Sequence, residues 1–228
     1  MLTSKINTPM IVKLIAKDWH LYKKFMLGYC ALGVIAAGIM TLPTDFSFHL
    51  GVVVLITVLI GASAHVLFAS IVIEKKESQL SFIMGLPINV TDYALSKLLG
   101  GIAIYLTCWL PIVLVTLLIF TFSPIPNGLI PMLILCALEI LVGTVLLLSV
   151  GITSGSEAVT IVTMVIINLL FNVFLFAVVR LEGIHLHMAA ETAVFNQTVM
   201  SLIGAGVLII LLIIAVTTYI KSRKVCFL

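Results

Sequence analysis

Residues 51–73 read GVVVLITVLIGASAHVLFASIVI, and residues 74–77 directly after them read EKKE. The run contains no Asp, Glu, Lys or Arg. It exceeds the roughly 20 helical residues that cross a bilayer core about 30 Å thick. In lipid only a helix of that length satisfies its own backbone, and the charges that follow mark where the chain leaves the membrane.

Working outward, five more stretches have the same character, so six spans are expected at about 25–42, 51–73, 99–122, 129–150, 159–179 and 199–220. Pro43-Thr44-Asp45, the run from Ser123 to Gly128 and the run from Gly151 to Glu157 are turn chemistry between spans. The 228 residues are 62% hydrophobic and 9% charged, with a mean hydropathy of +1.34. A soluble fold of this size could not hide so much apolar surface. The expected fold is an all-α integral membrane protein, a single domain over 1–228.

Of the twelve basic residues, eleven sort to one side: Lys5, Lys13, Lys17, Lys23 and Lys24 before the first span, Lys75, Lys76 and Lys97 between the second and third, and Lys221, Arg223 and Lys224 after the sixth. The positive-inside rule makes that side the cytoplasm, with both termini on it. The formal charge of +3 is therefore read as topology and not as a nucleic-acid footprint. Arg180 alone falls outside, near Glu182 and Glu191. No cleavable signal is expected, because five lysines precede the first long apolar run. Cys30, Cys108, Cys136 and Cys226 have no CxxC spacing and read as small core hydrophobes.

Ahead of the first span, Lys13, Lys17, His20 and Lys24 recur at helical spacing, with Ile11, Leu14, Ile15, Tyr22 and Phe25 mostly off that stripe. An amphipathic elbow helix over 8–24 is expected, lying in the inner interface with Trp19 at the water boundary. The connection at 74–97 opens with charges and continues as a short helix through Leu80, Ile83 and Met84. Gly85-Leu86-Pro87 stops it. A second helix, with Asn89 at its cap and Asp92 three residues on, runs into the third span. A helix, a rigid turn and another helix on the cytoplasmic face make a protrusion able to dock in a groove.

Two ionisable residues, Glu139 and His65, and two asparagines stand inside spans. Glu139, midway along the fourth, must be protonated, paired or facing a wet cavity; it lines a substrate path, marks a subunit interface, or makes an internal hydrogen bond between spans. His65 lies in the second span beside Gly61-Ala62-Ser63-Ala64. Asn168 and Asn172, four residues apart in the fifth span, form a polar stripe read as glue between helices. Pro111 is expected to bend the third span. An outer loop over 180–198 carries His185 and His187, whose i,i+2 spacing faces apart on a helix, so no metal site is expected.

The Glu-Lys-Lys-Glu at 74–77, the Ser78-Gln79-Leu80 step, the apolar turn, Leu86-Pro87, and Lys97 entering a span resemble the permeases of type-2 ATP-binding-cassette (ABC) exporters. So does Lys17-Asp18 with aromatic and basic neighbours before the first span. The resemblance covers the whole chain in its order of parts: elbow, six spans, a coupling element after the second, and a longer outer loop after the fifth. It implies that Glu74, Glu77, Gln79, Leu80, Phe82, Ile83, Pro87, Lys17 and Asp18 contact a separate ATPase subunit. It further implies a second permease subunit, identical or paralogous, a plasma or inner membrane location, and short outer helices that cap the pathway.

No GxxxxGK[ST] occurs, so ATP and Mg are expected on the partner ATPase and no cofactor on this chain. HExxH and GxSxG are also missing, which argues against an intramembrane hydrolase. The resulting expectation is a non-enzymatic transport subunit that expels an amphipathic peptide, lipid-like molecule or drug. The alternatives are a proton-coupled secondary transporter using Glu139 and His65, and a regulatory membrane subunit of the same fold.

Overall fold

A computed structural model describes residues 8–72, 89–154 and 156–223. Among these the chain is helical, with no strand. In order come α1 (Thr8–Ile39), α2 (Asp45–Leu67) with a π-helical turn at its end (Phe68–Val72), α3 (Val90–Phe122), a 3₁₀ turn (Asn127–Leu129), α4 (Ile130–Ser154), α5 (Glu157–Arg180), the short α6 (Glu182–His185) and α7 (Gln197–Ser222). Six of these helices are long and apolar enough to cross a membrane, as the hydropathy pattern requires of a multi-pass protein.

The helix starts follow local chemistry. Thr44 Oγ1 accepts from the Ser47 backbone N–H at 3.1 Å. Asn196 Oδ1 accepts from Val199 N–H at 3.0 Å, and Ser156 caps α5 through Val159 N–H. Pro111 sits inside α3, which continues through it.

The elbow and first span differ from expectation. Residues 8–39 form one uninterrupted helix, not an elbow joined to a span. Pro9 lies in its first turn, where the ring is tolerated, and no proline follows within the helix to break it. The second half of the coupling element is as expected: α3 begins at Val90, after Asn89, and carries Lys97 into the span. The first half, including Glu74, Glu77, Gln79, Leu80, Phe82, Ile83 and Pro87, lies outside the described residues.

α1 and α3 run parallel and in close register, with Asp18 beside Lys97 at one end and Gly33 beside Ile112 further along. A Cβ on Gly33 would overlap the Ile112 side chain, so the two backbones approach only because that position is bare. α4 is the most enclosed span and touches α2, α3, α5 and α7. α5 packs mainly on α4 and on α6, and α7 on α4 and α3. The bundle has a near end, which carries the N-terminus, and a far end, which carries the turns after α1, α3 and α5.

Candidate functional site

At the near end α1 turns Ile11, Leu14, Asp18, Tyr22 and Met26 inward, while Lys13, Lys17, His20 and Lys24 face out. The inward stripe is apolar except for Asp18, which is 3% exposed. Its Oδ2 accepts from Lys97 Nζ at 2.8 Å, and Lys97 is itself 2% exposed. Lys17 Nζ stands 3.5 Å from the other carboxylate oxygen from a more exposed position. The Tyr93 ring lies under Lys97, 5.9 Å from its nitrogen. Four residues further along α1, the Tyr22 hydroxyl donates to the Ala69 carbonyl at 2.7 Å, within the π-helical turn that ends α2. Asp92 and Lys221 are also buried at this end.

This arrangement changes the reading of Asp18. A carboxylate enclosed between α1 and α3 and held by Lys97 presents nothing for a second protein to touch, so of the Lys17-Asp18 pair only Lys17 has an accessible side chain. Sequence inspection missed Lys97 as a structural partner, because it reads there as one more basic residue of the inner loop. The usable signal was that Asp18 falls on the same helical stripe as Leu14 and Tyr22.

Midway along the bundle, Glu139 lines a cleft of about 30 Å³ between α2, α4 and α5, with Ser63, Thr144 and Asn168 as its polar neighbours. That is room for one water-sized molecule. No cation pairs with Glu139 among the described residues. His65 does not share the cleft. It packs on α1 instead, its ring 4.8 Å from Phe25 and 5.7 Å from Tyr29. The two ionisable groups considered together as a relay are therefore turned to different neighbours.

Asn168 and Asn172 also part company. Asn168 faces the Glu139 cleft and Asn172 faces a larger cavity beyond it. Each amide nitrogen donates back to its own helix, to Met164 and Asn168 carbonyls, both at 2.8 Å. Helix-to-helix glue is thus not what their nitrogens provide.

The larger cavity is about 600 Å³ and is confined to the far half of the bundle. α2 and α3 form one wall with Leu55, Ile112 and Phe120, α4 forms the floor with Leu133 and Ile140, and α5 forms the other side. Its polar groups are few: Thr116, whose hydroxyl is bonded to its own helix at Ile112, Asn172, and Arg180 at the end of α5. Phe176, 61% exposed, opens the α5 side, and the Arg180 guanidinium stacks 3.8 Å above its ring. Met188 from the outer loop reaches the same cavity.

That loop is anchored to the far end backbone to backbone. Gly128 N–H donates to the Ala190 carbonyl at 2.9 Å, and a side chain at Gly128 would collide with the His187 carbonyl. Asn196 joins the loop to α7 by donating its amide to the Gly183 carbonyl. Among the described residues no His, Cys, Asp or Glu cluster could hold a metal, and His185 and His187 belong to none.

Compared with known protein families, curated proteins and solved structures, the chain gives no significant match.

Proposed function

We propose that this chain is the membrane-spanning subunit of an ABC exporter, working with a separate ATPase that carries ATP and Mg, and with a second permease copy, identical or paralogous. The basic residues put the near end and both termini in the cytoplasm. The far-half cavity then opens toward the outer leaflet.

The observation that carries this reading is the Asp18–Lys97 pair. Lys97 stands in the first turns of α3, directly after the 74–88 connection, and its partner lies on α1. A displacement applied to that connection is therefore delivered to α1 and α3 together, as a lever with two rigid arms. Pulling the two helices apart there would leave a buried charge without its partner, which is costly.

Affinity purification of the tagged chain from membranes tests the proposal. A protein with a phosphate-binding loop is expected to co-purify, and charge reversal at Glu74 and Glu77 is expected to release it and stop export. Failure to capture such a protein, together with unaffected export in the charge-reversed chain, would sink the assignment.

A second reading keeps one supporting observation, the polar cleft around Glu139. A proton-driven transporter would lose flux in Glu139→Gln and on collapse of the proton gradient, while ignoring ATP depletion. Because His65 stacks on α1 and lies outside that cleft, such a relay would have to do without it.

A further inference from the structure

We infer that the far-half cavity holds the hydrocarbon chain of a single-chain anionic amphiphile, whose headgroup rests on Arg180. The inference names the substrate class for the export proposed above and rests on that reading for its biological sense, though binding itself needs no ATPase.

Size comes first. At about 600 Å³ the cavity lies in the range that takes one small molecule. Its lining runs from Leu129 in the 3₁₀ turn along α4 to Ile140, roughly 16 Å at the helical rise. A space of that length suits an extended chain of fatty-acid dimensions.

Chemistry comes second. The walls are aliphatic and aromatic, with Thr116 already bonded to its own helix. Such a surface offers water almost nothing and favours a hydrocarbon chain, at a gain that grows with each methylene buried.

Charge comes third and selects the headgroup. Arg180 is the one basic residue that the positive-inside rule leaves on the outer side. It ends α5 at the rim of the cavity and stacks on Phe176 through the face of its guanidinium, which leaves the edge donors for a ligand. No carboxylate among the described residues pairs with it. A planar cation with a fork of N–H donors at the mouth of an apolar slot complements a carboxylate or phosphate monoester on a chain. A cationic head would meet the like charge of Arg180, and a neutral head would gain only the weaker, uncharged hydrogen bonds.

Access comes fourth. α5 makes most of its contacts on α4 and α6, and along the cavity α2 and α3 line the opposite wall. The exposed Phe176 and Asn172 mark the α5 side as the way in from the membrane.

The test uses the full chain, purified into nanodiscs of zwitterionic lipid, and a diazirine-bearing palmitate as photoprobe beside the matching alcohol and amine. The carboxylate probe is expected to label far-half peptides of α2, α4 and α5, to be displaced by unlabelled palmitate, and to exceed the amine about tenfold. Arg180→Gln should erase that preference, and Arg180→Lys should keep most of it. Leu133→Trp, which fills the slot while leaving Arg180 in place, should abolish cavity labelling. A size-exclusion profile matching the parent shows that each variant is folded.

Equal labelling by all three probes would overturn the inference, as would an unchanged preference in Arg180→Gln. So would labelling confined to the outer face of α7, which would mean general lipid contact. If the probes behave as expected but no ATPase co-purifies and the charge-reversed chain still exports, the export assignment falls and the binding site stands. If an ATPase co-purifies and the probes do not discriminate, the reverse holds.

Discussion

The near and far ends of this bundle are built from helices of the same apolar composition, yet one is closed by buried polar contacts and the other is hollow. At the near end Asp18, Lys97, Tyr22 and the Ala69 carbonyl tie α1, α2 and α3 together. At the far end the corresponding space between α2, α3 and α5 is a cavity of about 600 Å³ with Arg180 at its rim. Lipid supplies no hydrophobic drive between helices, so packing and polar contacts decide which parts of a bundle are rigid. The near end is thus tied by polar contacts, and the far end leaves space between its helices.

Breaking the near end should have the largest effect. Asp18→Ala leaves Lys97 buried without its carboxylate, and a loss of about 3–5 kcal/mol is expected, seen as poor yield and a lowered midpoint in thermal scanning of the detergent-solubilised chain. Replacing both partners with apolar residues, Asp18→Leu with Lys97→Met, should recover most of that loss. If the single and double variants are equally unstable, the pair is not the tie described here.

One substitution made at both ends sharpens the contrast. Leu148→Trp pushes into a site where Leu148 has no exposure and already presses on Gly101, and should cost about 1–3 kcal/mol. Leu133→Trp enters the cavity and should change stability by less than about 1 kcal/mol. Equal penalties would mean that the far end is as tightly filled as the near end.

Tyr22→Phe removes one hydroxyl from the near-end network and should cost about 0.5–1.5 kcal/mol, measured in the same thermal scan. Arg180→Gln is expected to be smallest in stability, within about 0.5 kcal/mol, because the residue is exposed and stacks on a single ring. Its consequence should be confined to ligand discrimination. A large loss of stability in that variant would mean that Arg180 holds the far end together.

Much of the fold was legible residue by residue. The six helices contain the predicted spans, apart from residues 40–42 of the first, the π-helical turn Phe68–Val72 that closes the second, and Leu129, which lies in the 3₁₀ turn before the fourth; residue 73 lies outside the described residues. The start of α3 follows from Asn89 and Asp92. The continuity of α1 through residues 8–39 was legible too, since no breaker separates the amphipathic stretch from the span, but the change from polar to apolar composition was read as a joint. The sites were less readable. The family resemblance makes Asp18 an ATPase contact, whereas its side chain is buried against a partner 79 positions away in the chain. His65 and Glu139 were paired because both are ionisable and intramembrane, a criterion that says nothing about which way each faces.

What the amino-acid order alone determined is which six stretches are long and apolar enough to cross a membrane and how the basic residues cluster between them. Those properties are sums over neighbouring residues, of transfer energy within a span and of charge between spans. Tertiary structure decided the rotation of each helix about its axis, and with it that Asp18 meets Lys97, that Asn168 and Asn172 face different spaces, and that Arg180 stands over an apolar slot. Rotation is set by the fit of small and large side chains between helices far apart in the chain, as at Gly33 against Ile112, and no local sum contains it.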